Sequence, residues 1–313
     1  MTETVAVIVS AHLEERFPEL VKALESLAEQ TRIPDEVVVV IDGEPKLADR
    51  IRSLRTTASV VELRQPSGLA ATRNAGVAAC TSEIVLFLDD DAIAHPEWVE
   101  RLASAISKDG VLGAYGYSAP IWGGQRPSWL PEEFLWTLGC SYAGQPVERT
   151  QVRNVHGGCC GLRRSLFTEL GGYDSRLGRT RASTGGGEEA ELCIRAQRRW
   201  PGSSFTFEPV ARIEHLVPPS RLTLRYVLRR CYDEGRMKAK VASIQRGALT
   251  SERQFAMRLP GAFIRYLFGA PLTGGAGRAR AGGVAVMVTA VTLGLLVERI
   301  GSTLSPRPSR RTA

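Results

Sequence analysis

Three carboxylates in a row, Asp89, Asp90 and Asp91, follow directly on the apolar run IVLFL. Adjacent carboxylates repel one another, so they either stay in water or face a cation. Asp89 and Asp91 are two apart with Asp90 turned to the other side, a spacing that offers oxygens to a hard divalent ion. Mg²⁺ or Mn²⁺ fits, because such ions are held by one or two carboxylates together with substrate phosphates. The competing reading is structural, since Asp is favoured in turns and ahead of helices, and Pro96 suits a helix start.

Further along, GGGEEAELCIR places Glu188 and Glu189 in the first turn of an expected helix. The helix dipole favours carboxylates there whatever the function, but either can also serve as a general base toward a hydroxyl nucleophile. His215, in ARIEHLVPPSR, is one of only four histidines; it is either structural or a third metal ligand. Arg73 and Asn74 lie in a helical stretch opening after Gly68, from which Arg73 either meets solvent or turns toward a phosphate.

The elements that must position these groups are legible in the hydrophobic pattern. Short β-branched runs at 5–9, 36–41, 60–63 and 84–88 alternate with amphipathic helical stretches at 18–30, 45–54 and 69–79. Apolar residues at consecutive strand positions mean burial on both faces, so an α/β fold with a mostly parallel sheet covered by helices is expected. Ligands sit at the carboxyl ends of such strands. Ser10 and His12 fall after the first strand, Asp42 after the second, Arg64 after the third, and the aspartate triplet after the fourth. VIVSAHLEE holds no glycine, which removes the support for a dinucleotide-binding turn. Residues 121–155, rich in Trp, Pro and Gly, read as a loop-heavy segment over the site.

The chain has 313 residues, 43% of them hydrophobic and 23% charged, which suits a globular protein of one large domain with an appendage. The N-terminus has no basic leader followed by a long apolar core, so a mature chain starting in the cytosol is expected. Six cysteines are scattered without metal-type spacing and read as reduced thiols. The net charge of +7 hides an asymmetry: residues 1–220 carry −6 and residues 221–313 carry +13. Two regions with different partners follow, a catalytic unit over 1–220, whose donor half ends near 115, and a basic helical extension over 221–313.

Taken in order, VSAH, EVVVVIDG, GLAATRNAG, IVLFLDDDA, GGCCGLRRSLFTELGGYD, GEEAELCIRA and RIEH resemble the family 2 glycosyltransferases over roughly residues 4–236. The resemblance implies a GT-A fold, an inverting mechanism and a nucleoside-diphosphate sugar donor, a UDP-sugar first among them. It implies that Ser10, His12, Asp42, Arg73, Asp89 and Asp90 contact the donor, with Asp42 reading the base, and that Asp89, Asp91 and His215 form the metal site. Glu189 falls where the family normally has the aspartate of its ED pair, the catalytic base, with Glu188 as the alternative. The implied acceptor is a hydroxyl of a glycan or a polyprenyl-linked sugar. A nucleotidyltransferase would carry an Arg/Lys-containing glycine-rich loop after the first strand, where SAHLEERF stands. A non-catalytic nucleotide-sugar-binding scaffold is the third class, and release of free nucleoside diphosphate separates it from an enzyme.

In the extension, Leu224, Val227, Leu228, Cys231 and Tyr232 recur at helical spacing against arginines. Residues 281–297 carry no charge; as a helix they rise about 26 Å, the lower edge for a membrane span. Contact with an anionic membrane surface, a true span and a soluble packing helix are the three outcomes, the first placing the protein at the inner face of the cell membrane. No aromatic-interleaved basic motif points to nucleic acid. Residues 305–313 read as a disordered tail.

Overall fold

The computed structural model describes residues 2–54, 56–180, 182–244, 249–269 and 275–304; the expected tail at 305–313 lies outside them. Nine strands form one sheet: β1 (Val5–Ala11), β2 (Glu36–Asp42), β3 (Ser59–Leu63), β4 (Ile84–Asp89), β5 (Ala92–Ala94), β6 (Val111–Trp122), β7 (Thr150–Val152), β8 (Cys159–Arg163) and β9 (Ser204–Val217). Their spatial order is β3-β2-β1-β4-β8-β6-β9-β5, with β7 also on β9. The helices are α1 (Phe17–Ala28), α2 (Pro45–Arg52), α3 (Leu69–Ala78), α4 (Trp98–Ile106), α5 (Ser165–Leu170), α6 (Glu188–Arg199), α7 (Leu224–Ile244), α8 (Thr250–Phe268) and α9 (Gly275–Leu304).

The first four long strands are parallel neighbours, as their apolar runs require. Beyond β4 the sheet is mixed: β8 returns antiparallel between β4 and β6, and β5 and β7 lie antiparallel on β9. Sequence periodicity carries no strand direction, so this half reads as parallel until the pairing is seen. Two apolar clusters cover the two faces of the sheet. One joins β1, β2 and β4 to α1, α2 and α4 around Trp98; the other packs Phe87, Phe167 and Tyr173 with α3 and α6.

A third cluster lies apart from the sheet and binds the C-terminal helices to the loop-heavy segment. Phe134 and Leu138 from a 3-10 turn at Glu132–Leu138 pack with Val227 and Cys231 of α7, Leu259 of α8 and Met287 of α9. Of the residues expected on one face of α7, Val227 and Cys231 are fully buried while Leu224, at the helix start, is 45% exposed. Helix α9 runs along α7 in close backbone contact. A Cβ on Gly235 would collide with the carbonyl of Val291, and one on Gly294 with that of Tyr232. Arg236 of α7 then pairs with Glu298 of α9 at 2.8 Å.

This crossing has a direct stability consequence. Gly294→Val forces the two helices apart and is expected to cost about 2 to 3 kcal/mol or more. Gly301→Ala, whose new Cβ meets no atom within 4 Å, should leave stability unchanged or raise it by about 0.5 to 1 kcal/mol. Thermal melts of the two variants check the pair; a Gly294→Val protein melting with the wild type would mean that α9 does not rest on α7 in solution.

Candidate active site

The loops at the carboxyl edge of the parallel strands open into a cleft of about 650 Å³. Ser10 and Asp89 are register partners across β1 and β4, so the first and fourth strands deliver their terminal polar residues side by side. The Ser10 hydroxyl is buried without a hydrogen-bond partner, and His12 and Asp42 line the same cleft. Asp42 holds the turn after β3, accepting backbone N–H bonds from Ser67 at 2.7 Å and Gly68 at 3.0 Å, one on each carboxylate oxygen. Arg64 is exposed and does not line the cleft.

Helix α3 places Arg73, only 2% exposed, at the floor. Its guanidinium donates to Glu189 at 2.8 Å, reaches Asp89 at 3.4 Å and stands 3.7 Å from Glu188. Its neighbour Asn74 takes no part. That side chain donates to the Tyr173 carbonyl at 2.8 Å and accepts the Tyr173 N–H at 2.9 Å, clamping α3 to the turn after α5.

The triplet divides as its spacing suggests. Asp90 turns to Arg16 at 3.0 Å, and the same Nη1 also reaches Asp91 at 2.9 Å. Asp91 meets His215 Nδ1 at 3.1 Å because β5 and β9 pair Ala92 opposite His215. Ligand atoms of Asp89, Asp91 and His215 all lie within 4.8 Å of one another, two oxygens and an imidazole nitrogen, a set that fits Mg²⁺ or Mn²⁺. Burial and the charge of Asp91 push the Asp90 carboxyl up to about 7 despite Arg16. Burial acts on Asp91 in the same sense, but His215, Arg221 and Arg16 together hold it well below the usual carboxylate range.

Two glycines make the opposite wall. A Cβ on Gly157 would strike Glu189 and Arg73, and one on Gly158 would strike Asp89; the φ of +87° at Gly158 also disfavours any other residue there. Cys159 next to them points into the core, where its sulfur accepts the Trp98 indole N–H at 3.3 Å. All six cysteines are free and buried.

Glu188 and Glu189 open α6 as expected, but in unlike surroundings. The Glu189 side chain retains 13% exposure in the cleft, while that of Glu188 retains 2% and its Oε2 has no partner. Burial and the neighbouring Glu189 push the Glu188 carboxyl up to about 8, against the pull of Arg73. The loop before α6 is tied to α7, with Asp233 accepting from the Thr184 N–H at 3.0 Å and its hydroxyl at 2.7 Å.

Several residues of the cleft carry no sequence signal of their own. Arg16 belongs to a helix start, Arg221 reads only as the first charge of the basic tail, and Arg179 and Arg230 look like surface arginines. In the fold Arg221 stands 3.2 Å from His215 Nε2 and 3.5 Å from Asp91, and Arg179 and Arg230 line the same wall. Burial and the charges of Arg230 and Arg221 lower the affinity of Arg179 for its proton.

A family model described as Glycosyl transferase family 2 matches residues 6–171. The chain belongs to that family. Over 238 residues, 75% of this chain and 76% of the relative, it is 30% identical to a glucosyl-dolichyl phosphate glucuronosyltransferase of Haloferax volcanii. A pre-mycofactocin glycosyltransferase of Mycobacterium tuberculosis is 28% identical over 182 residues, which are 57% of this chain and 37% of that one. The fold is similar to that of a mannosyltransferase from Pyrobaculum calidifontis in complex with GDP-Man and Mn²⁺, with a TM-score of 0.53 and 20% identity over 97% of this chain and 88% of that one. The curled mixed sheet flanked by helices is the GT-A fold.

The two glutamates make a pH prediction. An unfolded Glu188 carboxyl titrates near 4.5 and the folded one near 8. Between those values the folded chain holds a proton that the unfolded chain has released, so this group lowers stability as pH rises through the window. Glu188→Gln removes the effect. Urea melts should show the variant gaining on the wild type from about pH 5 to 8, and parallel curves would contradict the buried, protonated carboxyl.

Proposed function

We propose that this glycosyltransferase moves a sugar from a nucleoside-diphosphate donor to a hydroxyl of a glycan or lipid-linked acceptor, with inversion at the anomeric carbon. The observation that carries the reading is the cleft lined by Asp89, Asp91 and Glu189, with Arg73 between Asp89 and Glu189 and with His215 buried beside Asp91. A bound divalent ion would be held by Asp89, Asp91 and His215 and would supply positive charge to the departing diphosphate. Arg221 and Arg179 stand on the same side and add fixed charge to it.

Glu189 is the base in this reading, because it faces the cleft while Glu188 is enclosed and protonated at neutral pH. It takes the proton of the acceptor hydroxyl, which attacks the face of the sugar away from the diphosphate. Arg73 orients Glu189 through a 2.8 Å bond and also reaches Asp89. Glu188 supports its neighbour as a neutral group.

Asp42 faces the base in this reading: each of its oxygens accepts one loop N–H and keeps a lone pair for a donor on the base.

For location, the geometry of α9 favours lying on a membrane over crossing one. Gly275–Thr303 is long and apolar enough to span. Its full contact with α7, however, would carry Arg236, Lys238 and Lys240 into the hydrocarbon, at about 2.5 to 3.5 kcal/mol each. The outer faces of α8 and α9 instead present Ile264, Phe268, Leu293, Val297 and Ile300, all at least 48% exposed. Such a face with surrounding arginines suits the headgroup boundary of an anionic leaflet, on the inner side of the cell membrane.

Two experiments test these readings. With UDP- and GDP-sugars, Glu189→Gln should keep Mn²⁺-dependent thermal stabilisation by donor but lose transfer by about 10³-fold or more, while Asp91→Asn should lose the stabilisation itself. A Glu189→Gln enzyme with near-normal turnover would move the base elsewhere. Separately, wild-type protein should co-sediment with anionic liposomes at low salt and be released at high salt. Exchanging Phe268, Leu293 and Ile300 for glutamine should abolish that binding; retention until detergent is added would show a span.

A further inference from the structure

A second cavity, of about 1140 Å³, adjoins the cleft and opens between the catalytic unit and the C-terminal helices. It lies outside the donor groups: neither the aspartate triplet nor Asp42 lines it. The two spaces share a wall. Trp136, Tyr142, Arg153, His156, Lys238 and Glu252 line both.

Resting on the glycosyl-transfer reading, we infer that this second cavity is the port for a lipid-linked acceptor, an apolar chain bearing an anionic phosphate and a terminal sugar. Three features, met from the outside inward, match those three parts. The rim is built from the helices that carry the exposed apolar face, with Ala256 on α8 and Val288 and Thr292 on α9 at the surface and Phe255 and Leu259 beneath. An apolar chain entering there leaves a membrane surface without crossing water.

The lining carries Arg153 and Lys238 at the partition, balanced by Glu234 and Glu252, together with the exposed Arg198 and Arg258. The net charge of +2 complements a phosphate. Arg153 and Lys238 are held in a balanced network at the partition: Arg153 grips Glu252 through two bonds of 2.6 and 2.9 Å, and Lys238 bridges Glu234 at 3.1 Å and Glu252 at 3.3 Å. The excess positive charge that a phosphate meets is that of Arg198 and Arg258.

Innermost, at the junction with the cleft, the wall is aromatic. The rings of Tyr115 and His156 meet edge to face at 4.8 Å, Tyr142 stands 5.4 Å from Phe255 in the same manner, and Trp136 faces Arg230. Ring faces pack against the C–H face of a sugar, burying apolar area while its hydroxyls stay free for polar partners. His156 precedes Gly157, whose backbone touches Glu189, so a sugar held there presents a hydroxyl to the base. A water-soluble glycan would use only this innermost part and would leave the apolar rim and the cation cluster unmatched.

Binding of a dansylated farnesyl phosphate to the full-length protein, followed by energy transfer from tryptophan, tests the assignment. Saturable binding is expected, competed by unlabelled farnesyl phosphate and not by inorganic phosphate or a methyl glycoside. Ala256→Trp and Thr292→Trp, both at surface positions, should weaken it at least about tenfold by filling the rim. Thermal stabilisation by Mn²⁺ with UDP or GDP is measured on every preparation. If the wild type shows that stabilisation yet no saturable lipid binding, or if both tryptophan variants bind the probe as the wild type does, the port is wrong while the donor reading stands. Equal competition by the methyl glycoside would assign a soluble glycan instead. Loss of nucleotide stabilisation in the wild type would remove the donor reading and the port with it.

Discussion

One buried cation holds the reacting groups of this protein together. Arg73 is enclosed beneath the cleft and faces Asp89, Glu188 and Glu189, three carboxylates from two distant segments. Without it the charges of Asp89 and Glu189 would repel each other in a water-poor pocket at the junction of β4 and α6. With it, the acidic residue that ends the fourth strand and the acidic pair that opens α6 share one partner. The flanking glycines follow from the same constraint, because any side chain at 157 or 158 would occupy the space that Arg73 and its partners fill.

The C-terminal helices complete this arrangement from behind. Asp233 on α7 binds the loop that leads into Glu188, and the third apolar cluster joins α7, α8 and α9 to the segment at 130–140. The loop, the pair of glutamates and the aromatic wall of the cleft are thus positioned by helices that lie far from them in sequence. A catalytic unit ending at 220 would keep its sheet but lose that backing, so the extension belongs to the site as well as to the surface.

What the sequence revealed follows from how local each signal is. The parallel strands were legible because burial on both faces leaves consecutive apolar residues, as in EVVVVI and IVLFL. Asp89, Asp91 and His215, singled out by residue type and spacing, do come together within 4.8 Å. The mixed half of the sheet was not legible, since nothing in CCGLR records that β8 runs against β4. Arg16 and Arg221 escaped for a related reason. Each becomes part of the cleft through a tertiary contact, with Asp90 and Asp91 at 3.0 and 3.5 Å, and an arginine's sequence neighbours say nothing of where its long side chain ends. Asn74 shows the reverse: a polar residue beside Arg73 whose partners, both on Tyr173, make it a clamp.

The charge asymmetry of the chain has its explanation at the same place. Residues 1–220 are acidic and residues 221–313 basic, an imbalance that by itself suggests an external anionic partner. Part of it is met inside the molecule, where Arg221 reaches Asp91 and Arg265 pairs with Glu133. Arg221, Arg230 and Lys238 line the same cleft as Asp89, Asp91 and Glu189. The basic helices therefore place their charge in two settings: Arg221, Arg230 and Lys238 line the cleft, while Arg225, Arg253 and Arg299 remain exposed.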